Sequence, residues 1–304
     1  MDYDFHDTID LHIHTSASDG TYSAEEILAL ARHLNLYAVS ITDHDTVEGC
    51  EKALQSGIPH SIQFLTGVEI SAAPPEGFHI PSSFHILGYD IDIKNQELTL
   101  SLQMLQEARK DRNPKILKKL SQIGISISMQ EIVDQAAGGQ LGRPHIAQVM
   151  VRKGISGSID EAFDNYLGKG KPAYVDKFRI GCRNAIRIIK NAGGIAVLAH
   201  PFLLKLQDDV LRNLIIALKS MGLEGLEVYY PEHSPERIAY YTELASCYDL
   251  LMTGGTDFHG ELKPEIQLGA GKGNLKIPRF LYETLVKKNE NRPQFTAAKS
   301  GLQI

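Results

Sequence analysis

The sequence predicts an α/β protein, a (β/α) barrel interrupted by a helical insertion, and three observations carry that expectation. Short apolar runs of strand character alternate with capped amphipathic segments in the first ninety or so and in the later residues. The stretch from about Asn95 to Leu167 breaks this rhythm and offers helical periodicity only. No GxGxxG follows the first strand, which argues against a doubly wound dinucleotide fold.

Taken in order, residues 8–12 read as a short strand, and Ser23-Ala-Glu-Glu26 is a capping box that opens a helix to about Asn35. Residues 38–42 and 64–69 read as the second and third strands, with a helix over residues 48–56 between them and a fourth strand over residues 84–89. Residues 96–123 form one long charged helix, and the pairs Ser128/Glu131 and Ser158/Glu161 open two more. After Gly168-Lys-Gly-Lys171 the alternation resumes, with a helix over 182–192, a strand over 195–199 and a helix over 208–220. A strand over 225–228, a helix opened by Ser234-Pro235 and a strand over 250–253 complete it. The sequence thus divides into a barrel, residues 1–94 and 172–304, and an insertion, residues 95–171, expected to cover the substrate.

Composition narrows the function. The formal net charge is −6, with 43% hydrophobic and 22% charged residues, ordinary for a globular protein. Duplex nucleic acid is not an expected partner, because no long Lys/Arg block is present. No run of ~20 apolar residues suits a membrane span. Residues 1–7 lack the order of a signal peptide, so the expected compartment is the cytoplasm. Cys50, Cys182 and Cys247 lie too far apart for a CxxC zinc site.

The chemistry sits at the strand ends. In Asp10-Leu-His12-Ile-His14 the two imidazoles share one side of a strand and can hold one divalent ion at ~2.0–2.2 Å. An isolated HxH is as often a polar strand end. Here it is joined by Asp19 in Ser-Asp-Gly, His44 in Thr-Asp-His, Glu69 closing the third strand and His85 opening the fourth. His200 in Ala-His-Pro and Asp257 with His259 in Asp-Phe-His end two later strands. In a (β/α) barrel these ends converge on one face, and buried carboxylates gathered there require compensating charge. His6, His33, His60 and His79 lack such a setting, although His79 competes with His85.

The ordered motifs HxH, SDG, TDH, GVE, AHP and GTDFHG, from Asp10 to Gly260, resemble those of the PHP family of metal-dependent phosphoesterases. The resemblance implies a distorted (β/α)7 barrel holding two or three divalent ions, Mn, Fe or Zn. It places His12, His14, Glu69 and Asp257 on the first ion, Asp19, His44 and His259 on the second, and Glu69, His85 and His200 on the third. Some relatives have histidine in place of Asp19. The implied reaction is hydrolysis of a phosphate monoester by a metal-bound hydroxide, with no serine or cysteine nucleophile. Asp43, beside His44, either orients a ligand or the hydroxide, or serves as a hydrogen-bond partner.

Gly142-Arg143-Pro144-His145 falls in the insertion at a helix start, where an arginine fork and backbone donors suit phosphate. A similar element occurs in the PHP subgroup resembling nucleoside 3′,5′-bisphosphate phosphatases, making Arg143 and His145 the expected substrate contacts. His233 is a candidate proton donor or base contact. Arg109 and Arg112 are weaker candidates, since charge on a helix face is usually solvated, and Lys169 and Lys171 read as surface lysines. The expected substrate is a small phosphorylated nucleotide, foremost the 3′-phosphate of a nucleoside 3′,5′-bisphosphate, with short oligoribonucleotides as a second class. Histidinol phosphate, AMP and an amidohydrolase reaction are the alternative enzyme readings, and a metal-stabilised accessory module is the non-enzyme one.

Overall fold

The computed structural model describes residues 7–80, 82–135 and 141–290. His6 and residues 291–304 lie outside the described residues. The strands are β1 (Ile9–Ile13), β2 (Ala38–Ile41), β3 (Gln63–Ala73), β4 (His85–Tyr89), β5 (Ile180–Gly181), β6 (Ile195–Leu198), β7 (Gly225–Tyr229) and β8 (Leu251–Gly254). Their spatial order is β1-β2-β3-β4-β6-β7-β8, and the two-residue β5 pairs with the end of β3. The ring closes where the chain after β8 meets β1: Asp257 N–H donates to the His12 carbonyl at 2.8 Å, and His14 N–H to Phe258 at 2.9 Å. This is the distorted barrel that the sequence predicts.

The distortion lies in β4, which runs antiparallel to both β3 and β6. The chain returns from β3 through a loop without a crossover helix, and such a connection can join only antiparallel strands. β3 is also longer than its expected six residues and runs past Glu69 as an arm that pairs with β4 and β5. The reversal has a functional effect. It sets the first residue of β4, His85, at the rim where the parallel strands end.

The helices that pack outside the ring are α1 (Ala24–His33), α2 (Glu48–Ser56), α7 (Cys182–Asn191), α8 (Asp208–Ser220) and α9 (Pro235–Cys247). Each lays an apolar stripe on the sheet. In α1 the stripe is Ala24, Ile27, Leu28 and Ala31, and the helix starts at the predicted Ser23/Glu26 capping box. A separate cluster of Ile9, Leu11, Leu65, Leu87 and Val197 fills the ring and packs on Leu281 and Leu285 of α10 (Phe280–Glu290).

The helical stretch is α3 (Gln96–Gln122), α4 (Met129–Gln135), α5 (Arg143–Arg152) and α6 (Ile159–Ala162), which runs into a wider turn at Phe163–Leu167. Ile116, Leu120, Ile132, Ile146, Met150 and Leu167 are among the residues that form its own small core. The helix α3 takes part in both structures: Leu98, Leu102 and Leu105 belong to the barrel's outer layer, while Ile116 and Leu120 belong to the smaller core. No described helix is long and apolar enough to cross a membrane.

The closure of the ring leaves no room at Gly255, where an added Cβ would lie 2.1 Å from His12 Cβ and 2.3 Å from His12 N. Gly255→Ala must therefore push β8 away from β1. We expect a loss of about 1–3 kcal/mol in urea unfolding; unchanged stability would mean that the seam yields freely.

Candidate metal centre

The structure gathers His12, His14, Asp19, His44, Glu69, His85, His200, Asp257 and His259 at one end of the ring. His12 and His14 come from the end of β1, and Asp19 from the loop after it. His44 follows β2 and bridges to Glu69 of β3. His200, Asp257 and His259 come from the loops after β6 and β8. Two backbones are bent to aim these groups, with φ at +26° for His200 and +54° for Asp257, values uncommon outside glycine.

Glu69 is the hub. One oxygen, Oε2, faces His44 Nδ1 at 2.7 Å, His14 Nε2 at 3.3 Å and His12 Nε2 at 3.5 Å. The other, Oε1, faces His85 Nδ1 at 2.7 Å and His200 Nε2 at 3.0 Å. Asp257 Oδ1 lies 3.1 Å from His14 Nε2 and 3.5 Å from His12 Nε2. Ligand atoms around an ion with bonds of ~2.0–2.2 Å stand roughly 3.0–3.5 Å apart, so the contacts of His12, His14 and His200 match a shared coordination sphere, whereas the 2.7 Å contacts of Glu69 with His44 and His85 are shorter. Three sets are within ligand reach: His12, His14, Glu69 and Asp257; His14, Asp19, His44 and His259; and His44, Glu69 and His85. Two of these differ from the sets the resemblance implies. His14 stands between the first two groups, and His44 reaches the third as well as the second.

The donor set fits a cation. The buried atoms His12 Nε2, both His14 nitrogens, Asp19 Oδ1, His44 Nδ1 and Glu69 Oε2 have no hydrogen-bond partner among the described residues. His12 shows why. Its Nδ1 meets Glu227 Oε1 at 2.9 Å, and a carboxylate only accepts, so Nδ1 carries the proton. Nε2 then points toward the oxygens of Glu69 and Asp257, an arrangement that calls for positive charge there, either a second proton on the imidazole, which these carboxylates favour, or a metal cation. His259 repeats the device, with Nδ1 donating to the Asp257 carbonyl at 2.7 Å.

Electrostatics agree. Burial opposes the charged form of Glu69, but His44, His85 and His12 outweigh it and hold its pKa well below the usual range. Burial pushes His85 and His259 down to about 4, leaving neutral imidazoles suited to ligation. Burial also disfavours the imidazolium of His14, yet the facing carboxylates of Asp257 and Glu69 raise it to about 9.

Several supporting groups escape sequence reasoning. Glu227 of β7 is fully buried; besides His12, it accepts from the His200 backbone N–H at 2.6 Å. A lone acid inside the apolar run Gly-Leu-Glu-Val-Tyr was the available signal. Asp45 is also buried and accepts from Ser71 N and Oγ at 2.7 Å each and from Arg109 at 2.6 Å. Asp10 accepts from Thr256 and Gly269, which ties the β8 loop to β1.

Other predicted residues have different surroundings. Asp43 spends both oxygens on the loop after β1, accepting from Thr15 N at 2.7 Å, Thr15 Oγ1 at 2.7 Å and Ser18 Oγ at 2.6 Å. It positions the segment that carries Asp19. His233 donates from Nδ1 to the Val228 carbonyl at 2.7 Å, and burial lowers its pKa to about 4, so its Nε2, without a partner among the described residues, is a bare acceptor rather than a proton donor. His145 Nδ1 accepts from Gly142 N–H at 3.1 Å and closes the start of α5. Arg143 donates to the Leu167 carbonyl at 2.9 Å and lies over the Phe163 and Tyr174 rings. Lys169, Lys171, His33, His60 and His79 are exposed.

Arg109 and Arg112 are not solvated: their relative exposures are 7% and 6%. Arg109 is committed to Asp45, whereas Arg112 donates Nε to the Val175 carbonyl and keeps a buried Nη2 without a partner among the described residues. Burial and the nearby Arg143, Arg109 and Arg179 push Arg112 down to about 9. A cavity of about 930 Å³ opens over the centre, walled by His44, His85 and Asp257 on the barrel side and by Pro144, Asp160 and Phe163 from the helical stretch.

The PHP domain model matches residues 10–264. A 5′-3′ exoribonuclease of Haemophilus influenzae is 33% identical over 250 residues, covering 82% of this chain and 89% of the relative. A 3′,5′-nucleoside bisphosphate phosphatase of Chromobacterium violaceum is 30% identical over 252 residues, 83% of this chain and 87% of its own length. The solved structure of a proposed metal-dependent phosphoesterase from Bifidobacterium adolescentis superposes with a TM-score of 0.80 at 29% identity, covering 92% of this chain and 96% of that one.

Two outcomes follow from this geometry. Glu227→Gln keeps the shape but weakens the acceptor that orients His12, so Mn²⁺ affinity in equilibrium dialysis should fall about 10- to 100-fold; unchanged affinity would remove Glu227 from the centre. Ligation needs neutral imidazole, and His14 holds its proton up to about pH 9. Mn²⁺ binding at pH 7 should therefore release protons, seen as a buffer-dependent calorimetric enthalpy, and should tighten as pH rises toward 9. Affinity independent of pH over that window would contradict the assignment.

Proposed function

The chain belongs to the PHP family of metal-dependent phosphoesterases, and from that premise we propose that it removes the 3′-phosphate from a nucleoside 3′,5′-bisphosphate. The observation that carries this reading is a cluster of guanidinium groups, Arg112, Arg143 and Arg179. Arg112 has a buried, unpartnered Nη2, and Arg143 and Arg179 lie close enough to depress its pKa. A second phosphate on the substrate would relieve that repulsion and satisfy the guanidinium. The same region lies near the ligands, since Asp19 acts electrostatically on both His145 and Lys177.

In this reading His12, His14, Glu69 and Asp257 hold one divalent ion, and Asp19, His44 and His259 hold another with His14 between them. Glu69, His85 and His200 offer a third position. Divalent ions there supply Lewis acidity, neutralising the scissile phosphate and lowering the pKa of water in the site. Glu227 fixes the His12 tautomer, and Asp43 fixes the loop that presents Asp19. Arg112 and Arg143 bind the distal phosphate, the start of α5 with His145 shapes the wall, and the helical stretch limits access of bulk water. His233, with a bare Nε2, accepts a hydrogen bond from the nucleoside.

Short RNA is a second reading, supported by the exoribonuclease relative and by one feature of α3. Lys115, Lys118 and Lys119 line an open groove with Tyr174 and with Val175, whose carbonyl accepts from Arg112, a path a phosphodiester backbone could follow.

The test is phosphate release by Mn²⁺-loaded protein from adenosine 3′,5′-bisphosphate, AMP and histidinol phosphate, and nucleoside monophosphate release from a short 5′-phosphorylated RNA, each with a chelator control. Turnover of the bisphosphate that leaves AMP is the expected result. Arg112→Ala should raise KM for the bisphosphate about 10- to 100-fold, the loss of a charge-assisted hydrogen bond, with Mn²⁺ affinity unchanged. Preference for histidinol phosphate, or release from AMP alone, would overturn the bisphosphate assignment; preference for RNA would favour the second reading.

A further inference from the structure

The two oxygens of Asp257 have different surroundings. Oδ1 faces the imidazoles of the centre, at 3.1 Å from His14 and 3.5 Å from His12. Oδ2 accepts from Lys263 Nζ at 2.7 Å and from the Tyr230 hydroxyl at 2.9 Å. Tyr230 is buried directly after β7, with its ring against His200 and His233. Lys263 reaches in from the cavity rim, just past a short turn at Gly260–Leu262, and its side chain is 38% exposed.

A carboxylate with both oxygens free can chelate one ion or rotate to share itself between two. Two donors on one oxygen remove both options, because rotation would break an ion pair and strand a buried tyrosine hydroxyl. The pairing also anchors a residue whose backbone is in the left-handed region, at φ +54°. Hydrogen-bond partners behind a ligand set its orientation and are worth ~10–100-fold in metal affinity.

Resting on the metal-centre reading given above, we propose that Lys263 and Tyr230 are positioning residues that restrict Asp257 to ligation through Oδ1 alone. They act through Asp257. The half-exposed lysine makes this half of the clamp testable without disturbing the core.

The test measures Mn²⁺ binding by equilibrium dialysis, and the Mn²⁺ electron paramagnetic resonance spectrum, for the full chain and for Lys263→Ala, Lys263→Arg and Tyr230→Phe. Thermal unfolding of each metal-free variant checks the fold. Lys263→Ala and Tyr230→Phe should each weaken binding about 10- to 100-fold and alter the spectrum, Lys263→Arg should bind within a few-fold of the parent, and saturating Mn²⁺ should restore turnover in Lys263→Ala. Unchanged affinity in Lys263→Ala overturns the proposal, as does a rise in substrate KM with binding and spectrum intact, which would place the ammonium on the substrate. If the parent chain binds no Mn²⁺ at all, the metal-centre reading fails first, an outcome distinct from the other two.

Discussion

A fully buried carboxylate, Glu69, sets the terms for the rest of this molecule. An isolated anion cannot be carried into a protein interior; it must be paired, protonated or bound to metal. The fold answers with imidazoles from four strand ends, His12 and His14, His44, His85 and His200, all within 3.5 Å of its oxygens. Closure of the ring between β1 and β8 brings in Asp257, and reversal of β4 brings in His85. These are two departures from a regular barrel, and both serve the same group.

The same constraint explains the layering of support. Imidazoles can donate or accept, so a cluster of them is ambiguous until each proton is assigned. Glu227 assigns it for His12, and the Asp257 carbonyl does so for His259. Asp43 and Asp45 flank His44 in sequence yet point to different tasks, one to the β1 loop and the other to Arg109 and Ser71. Residues two apart can diverge in this way because Asp45 takes a left-handed backbone, with φ at +55°.

Much of this is legible in the sequence, and the reason is local. His12, His14, His44, Asp257 and His259 each end an apolar run, so their motifs and the strand alternation mark them together. Glu227, Tyr230 and Lys263 carry no such mark; their roles arise only when β7 and the β8 loop come beside β1. Arg109 and Arg112 misled, because a charged helix looks solvent-facing until the segment around Tyr174 and Val175 is laid over it. Nothing in the local sequence marks Leu281 and Leu285 of α10 as the plug of the ring. Contacts made over long sequence separations hide from periodicity.

The helix α3 has a consequence for how such an enzyme can diversify. One rigid rod roots in the outer layer of the barrel and emerges as the spine of a separately packed helical body. Replacing the body beyond its root would exchange the helical wall of the cavity while leaving the cluster of imidazoles and carboxylates, all contributed by the ring, in place. The ion pair of Arg109 with Asp45, next in sequence to His44, crosses this boundary near the centre, beside a hydrogen bond from Gln106 to the Asp45 carbonyl. A graft that preserves this pair would inherit the hydrolytic machinery and acquire a new selectivity, so the boundary acts as a joint at which chemistry and recognition can evolve on separate schedules.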